Sequence, residues 1–214
     1  MIGEQRYNDY LNHLLQGHRM ACTRVVQGLL DQDIEIKTLY EDLFQKSLYE
    51  VGELWEHNKI TVAREHLATA ITESLLNQVY PRLFEKESRA QNKKAVISCA
   101  ANEYHQIGGK MVADIFELQG WDAHFLGANT PVDHMLAFIQ EEAPDLLGLS
   151  LSVYFNIGLL KTGIEAVRSN FRNLDILVGG QAFRWGGADV LKNYAGIHYI
   201  QSLDKLNAEI SGDA

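Results

Sequence analysis

A glutamate, a histidine and a glycine, spaced as Glu103-x-His105-x-x-Gly108, form the most chemically specific group in the chain. A carboxylate two residues before an imidazole can accept a hydrogen bond from one ring nitrogen and leave the other as a more basic lone pair. That arrangement orients a metal-binding histidine. Gly108 removes a side chain where something bulky must approach the backbone or where a loop must turn sharply. The same three residues also describe a polar loop with a solvated histidine, so the elements around them decide their meaning.

Those elements are a strand and a helix. Lys94 to Cys99 is a short β-branched segment that reads as a buried strand, and Met111, Val112, Ile115 and Leu118 then recur at helical spacing. The motif falls on the loop at the carboxyl end of a first strand, where open α/β sheets hold their ligands. Strands are predicted at 95–100, 122–126, 146–152, 174–178 and 198–201, with helices at 107–119, 132–141, 156–170, 187–193 and 203–210. Alternation of this kind gives a five-stranded parallel, doubly wound, flavodoxin-like sheet.

Ahead of the sheet, from Gln5 to about Ser88, the pattern is helical throughout, with a break near Gln16-Gly17. One helix is expected from about Thr38 to Glu56 on Leu39, Leu43, Leu48, Val51 and Leu54. Another follows Thr61, a candidate N-cap, on Leu67, Ile71, Leu75 and Val79. Four helices with short connections imply a four-helix bundle. The polar, unpatterned stretch Glu85 to Lys93 sets the boundary, giving an all-α domain at 1–88 and an α/β domain at 89–214.

The 214 residues are 46% hydrophobic and carry a formal net charge of -9, which disfavours direct nucleic-acid binding because neutralising phosphates takes a basic face. Cys22 and Cys99 form no metal-spaced pair and no disulfide framework, as expected in a reducing cytoplasm. No signal core and no membrane-length apolar run is present. A cytoplasmic protein without a membrane partner is the expectation.

The segment Glu103-Tyr104-His105-Gln106-Ile107-Gly108, with Ser150-Leu151-Ser152 ending the third strand and Gly179-Gly180-Gln181 ending the fourth, resembles the cobalamin-binding domain of corrinoid proteins. That family usually has aspartate in the first position. The glutamate resembles the subgroup of light-sensing, adenosylcobalamin-dependent transcriptional regulators, and the helical half resembles their cap domain, over about residues 5 to 210. The resemblance implies that His105 replaces the vitamin's dimethylbenzimidazole as lower cobalt ligand, with Glu103 as its orienting partner. It also implies that the freed nucleotide tail enters the sheet domain along Ser150 and Ser152, close to the backbone of Gly179 and Gly180. Cobalt takes imidazole readily.

In the cap, Trp55 stands eleven positions before the Glu65-His66 pair, a spacing similar to that of the photoreceptor subgroup. There the tryptophan packs over the adenosyl group, which makes His66 the candidate upper cobalt ligand once light breaks the Co–C bond. Thr130, just before Pro131 at a helix start, reads as a cap that could also touch the corrin edge. His13, His18, His57, His124, His134 and His198 read as structural or solvated.

The function expected is that of a non-enzymatic cobalamin sensor, an adenosylcobalamin-dependent photoreceptor. The regulators usually carry an N-terminal DNA-binding domain, whereas this sequence begins with the cap at about residue 5. Output is therefore expected through self-association into a homo-oligomer or through a partner regulatory protein. The alternative is a corrinoid methyl carrier of a methyltransferase system, holding methylcobalamin. A flavodoxin-like receiver or nucleotide domain ranks below both, because Gly-x-Gly-x-x-Gly is absent after the first strand.

Overall fold

The computed structural model describes residues 1–84 and 90–211. The chain divides into two compact units, Met1–Lys86 and Glu87–Ala214. The boundary expected at 88/89 lies outside the described residues.

The first unit is all helical: α1 (Glu4–Gln16), α2 (Arg19–Leu30), α3 (Ile36–Leu39), α4 (Lys46–Glu56) and α5 (Val62–Val79). Gly17 ends α1 in a left-handed conformation, φ 76°, and its N–H bonds back to the Leu14 carbonyl, which explains the break in periodicity there. Between α3 and α4, Tyr40–Gln45 are wound as a π-helix, so 36–56 runs as one rod and the unit is four helical segments. The buried positions of this rod are Leu39, Tyr40, Leu43, Phe44, Ser47 and Val51, and among them Leu39, Leu43, Ser47 and Val51 form a row at four-residue steps. An α-helix turns once in 3.6 residues and would carry that row steadily around its axis. A looser stretch with i→i+5 bonds brings the mean close to four and keeps the row on the core side. Leu48 and Leu54, expected in the core, are only half-buried, and the hydroxyl of buried Ser47 is committed to the Phe44 carbonyl at 3.1 Å. Thr61 caps α5, accepting the Arg64 N–H at 3.3 Å.

The second unit is a five-stranded parallel sheet of β1 (Lys94–Cys99), β2 (Asp122–Phe125), β3 (Leu146–Ser150), β4 (Asp175–Gly179) and β5 (Ile197–Ile200). The strand order is β2-β1-β3-β4-β5. Helices α6 (Ile107–Leu118) and α9 (Leu203–Ile210) touch each other, as do α7 (Val132–Glu142) and α8 (Ile157–Asn170). Val96, Leu147, Leu149, Ile176 and Val178 bury one sheet face against Met135, Ile139, Leu160 and Ile164 of α7 and α8. The helix expected at 187–193 forms only as a 3₁₀ segment, Ala188–Asn193, preceded by a second, Gln181–Trp185. Gly186 and Gly187, both at positive φ, separate the two and prevent a single α-helix from forming.

Chain order reverses between β1 and β3, so the loops leaving these neighbouring strands diverge to opposite faces. A crevice opens at their carboxyl ends. Gly180, just past β4, has φ +119°, and a Cβ there would stand 2.1 Å from the Leu151 carbonyl oxygen. Gly108, in the first turn of α6, is the opposite case, because a Cβ would meet nothing within 4 Å.

Gly180→Ala should therefore destabilise the second unit by roughly 2–4 kcal/mol, since the obstruction is backbone and the φ is wrong for an L side chain. Gly108→Ala should be neutral or stabilising by up to about 1 kcal/mol through helix propensity. Urea unfolding of the two variants beside the wild type checks both; equal effects would contradict the assignment.

Candidate functional site

Residues 101–106, between β1 and α6, have no helix or strand of their own, and the carboxylate of Glu103 organises them. The Glu103 side chain is fully buried, while that of His105 is 62% exposed. Glu103 Oε1 accepts the His105 backbone N–H at 2.9 Å and faces the His105 ring nitrogen Nδ1 at 2.6 Å. Its Oε2 accepts the N–H groups of Ser152 at 2.8 Å and Val153 at 2.9 Å, on the loop after β3. One carboxylate thus joins both sides of the crevice and holds the imidazole by Nδ1, so that Nε2 is the nitrogen directed away from the acid.

Burial pulls the pKa of Glu103 upward. The bond with the His105 ring and the N–H groups of His105, Val153 and Ser152 outweigh it and hold the group at about 2. Cys99, at the end of β1, is buried with its thiol pushed up to about 12 by burial first and then by the Glu103 charge, so it is not a thiolate at neutral pH.

The other expected residues take varied places. Tyr104 is exposed, Gln106 precedes α6 as its N-cap, and Ile107 is buried at its first position. Ser150 ends β3, and its carbonyl accepts the Ala100 N–H at 2.9 Å. Ser152 acts through its backbone N–H. Leu151 is buried, bonding its N–H to the Gly179 carbonyl at 2.9 Å and accepting from Ala182 at 3.2 Å. Gly179 lies under the Ile200 carbonyl, 3.0 Å from where a Cβ would be, and Gln181 begins the following 3₁₀ segment. The glycine pair is thus required by the chain's own backbone, whatever else passes near it. A small cleft beside the loop is lined by Cys99, Ala100, Thr130, Met135, Leu149 and Leu160; neither Ser150 nor Ser152 lines it. Thr130 does not cap α7, whose N-cap is Pro131; its hydroxyl donates to the Leu126 carbonyl at 3.4 Å.

In the helical unit, Trp55 is the next-to-last residue of α4 and 45% exposed. Glu65 and His66 lie near the start of α5, the adjoining helix. His66 Nδ1 meets Glu65 Oε2 at 2.5 Å with the His66 side chain 74% exposed, and Glu65 Oε1 accepts the Thr69 hydroxyl at 2.9 Å. Two of the remaining histidines do have carboxylate neighbours: His124 has Asp122 at 3.3 Å and His198 has Glu209 at 3.3 Å. His13 and His18 pair their rings at 5.9 Å. Asn129, which also contacts the His105 loop, carried no sequence signal beyond its place before a helix.

Comparison with known proteins gives a consistent picture. A family model described as "B12 binding domain" matches residues 93–204, and a second with the same description matches residues 6–80. The HTH-type transcriptional repressor CarA of Myxococcus xanthus is 33% identical over 43% of this chain and 31% of its own length, so this chain spans well under half of that relative. Dimethylamine corrinoid protein 1 of Methanosarcina acetivorans is 23% identical over 79% of each chain. The solved Methanosarcina barkeri monomethylamine corrinoid protein has the same fold, with a TM-score of 0.84 over 97% of this chain and 98% of its own at 11% identity.

Because the folded pKa of Glu103 is depressed, its contribution to stability is complete above the unfolded value of about 4.5 and is lost as pH falls toward about 2. Glu103→Gln should cost on the order of 3 kcal/mol at pH 7, and the gap to wild type should narrow between pH 4.5 and 3. Urea midpoints across that range test it; a gap that does not change with pH would count against the ionised carboxylate as the source.

Proposed function

We infer, since this chain belongs to the B12-binding domain family, that it is a cobalamin-binding sensor module, with His105 as the lower cobalt ligand and adenosylcobalamin as its cofactor. The observation that carries this reading is the imidazole of His105, fixed by Nδ1 on a buried, ionised carboxylate at the mouth of the β1/β3 crevice. A single neutral imidazole is a suitable axial donor for a metal already held by a macrocycle. Gly108 is compatible with the same group, because it is exposed and a Cβ there would meet nothing within 4 Å.

The residues would divide the work as follows. Glu103 sets the tautomer and direction of the His105 ring, and Ser152 and Val153 hold Glu103. The cleft by Thr130, Met135 and Leu160 offers apolar walls for part of the cofactor, together with the exposed Tyr104. Ser150, Leu151, Gly179, Gly180 and Gln181 lie at the carboxyl ends of β3 and β4, along which the freed nucleotide tail would pass. Bound adenosylcobalamin supplies a Co–C bond that visible light cleaves. Within the helical unit, exposed Trp55 offers an aromatic face, and His66, held by Nδ1 on Glu65, offers a second oriented imidazole. That pair supports the photoreceptor reading, with a signal passed by self-association or to a partner protein.

The methyl-carrier alternative is favoured by a different observation, the end-to-end likeness to corrinoid proteins in fold and length. A small methyl group on cobalt, however, gives no reason for an exposed tryptophan and a second oriented histidine.

Purified protein should take up adenosylcobalamin in the dark, change its absorption spectrum under green light, and shift in size-exclusion volume on illumination. His105→Ala should abolish histidine ligation, and Glu103→Gln should weaken binding by about 10- to 100-fold. His66→Ala should bind in the dark yet give a different photoproduct. Uptake of methylcobalamin with no change in size under light would instead establish the carrier reading, and failure to bind any corrinoid would overturn both.

A further inference from the structure

Segment 101–106 owes its shape to its neighbours, and one of them contacts it three times. Asn129, on the loop between β2 and α7, accepts the Asn102 N–H on Oδ1 at 2.8 Å and donates its Nδ2 to the Tyr104 hydroxyl at 3.2 Å. Its backbone N–H donates to the Glu103 carbonyl at 2.9 Å. From the opposite side, Asn156 after β3 donates its Nδ2 to the Asn102 carbonyl at 3.1 Å. Three consecutive residues leading into His105 are thus gripped by one side chain and its own backbone.

Chemistry restricts what can stand there. Asn129 has φ +49° and Asn102 has φ +61°, the left-handed region that asparagine, aspartate and glycine tolerate best. Of these three, only asparagine offers an acceptor and a donor on one planar group. Aspartate keeps the φ and the acceptor for Asn102 but cannot donate to Tyr104. Glycine keeps the φ and the backbone bond to Glu103 and deletes both side-chain bonds. The three residues therefore separate backbone conformation from clamping.

We propose that Asn129 is a positioning residue for the lower axial ligand: by clamping Asn102 through Tyr104, it fixes the direction of the His105 imidazole and so favours that imidazole over the cofactor's own base. The proposal rests on the cobalamin reading of the site. Asn129 acts only through the segment it grips, so its removal should loosen amides it does not itself bond. These are the Glu103 N–H, donated to the Ala100 carbonyl at 3.0 Å, and the His105 N–H on the Glu103 carboxylate.

Two measurements test it. In the cofactor-free full chain, hydrogen exchange at the Glu103 and His105 amides should speed up roughly tenfold in Asn129→Gly, with β1 and β3 amides unchanged and Asn129→Asp close to wild type. In protein labelled with ¹⁵N-histidine and loaded with cobalamin in its Co(II) state, electron paramagnetic resonance separates a protein imidazole nitrogen from the cofactor's ¹⁴N by the splitting pattern. Wild type and Asn129→Asp should show the ¹⁵N pattern, and Asn129→Gly should show a mixture with a substantial cofactor-nitrogen share. Should Asn129→Gly fail to fold, Asn156→Ala, at ordinary backbone angles, should give a smaller change in the same direction. Wild-type exchange and splitting in Asn129→Gly, or in Asn156→Ala where that variant stands in, overturn the proposal alone. A cofactor-only pattern in wild type overturns the His105 reading, and the axial role of Asn129 with it.

Discussion

An ionised carboxylate with no solvent exposure is the constraint on which the second unit turns. Burying Glu103 carries a desolvation penalty of several kcal/mol, which is offset because its two oxygens face the N–H groups of His105, Ser152 and Val153 and the His105 ring. Those donors belong to the loops after β1 and β3, which the strand order sends to opposite faces of the sheet. The crevice that the topology opens is thus tied at its mouth by one side chain. The carboxylate that orients the His105 imidazole cannot move without releasing the loop after β3. The acid has to leave its own loop, reach two backbone N–H groups on the next, and still meet the ring two residues on. The longer glutamate side chain, where the family's usual motif has aspartate, meets those demands here.

The same chemistry recurs in the helical unit at lower cost. Glu65 holds His66 by Nδ1 and accepts the Thr69 hydroxyl, but its side chain is 20% exposed where that of Glu103 is fully buried. His105 is tied to a fully buried carboxylate and His66 to a partly exposed one near the start of a helix, while both rings are largely in solvent.

The strands, their order of appearance and the loop carrying the motif were legible because short apolar runs, β-branched in β1 and β4, alternate with stretches of helical periodicity. Strand ends shifted by a residue or two. The π-helical stretch goes with the four-residue steps of Leu39, Leu43, Ser47 and Val51, a row that the expected apolar set of Leu39, Leu43, Leu48, Val51 and Leu54 leaves broken because one of its members is a buried serine. The helix expected at 187–193 is cut short because Gly186 and Gly187, both at positive φ, break the chain ahead of it. In the site, adjacency in sequence revealed Glu103 with His105 and Glu65 with His66. The partners of Glu103 at Ser152 and Val153, and Asn129 beside Asn102, are 27 to 50 positions away and act largely through backbone groups, which carry no residue signature.

The glycines show how a motif divides between folding and function. At Gly180 a side chain would strike the Leu151 carbonyl, and at Gly109 it would press on the Phe125 ring at 3.0 Å, so the protein's own packing accounts for both. Gly108 has no such neighbour, and it lies in a helix, where alanine would be more stable. Helical Gly28, Gly52 and Gly158 are equally open, so openness alone does not set Gly108 apart, and its interest rests on its place in the sequence beside Glu103 and His105. What would separate the sensor reading from the carrier reading lies in the helical unit, in whether exposed Trp55 and the His66 imidazole held by Glu65 have a role of their own.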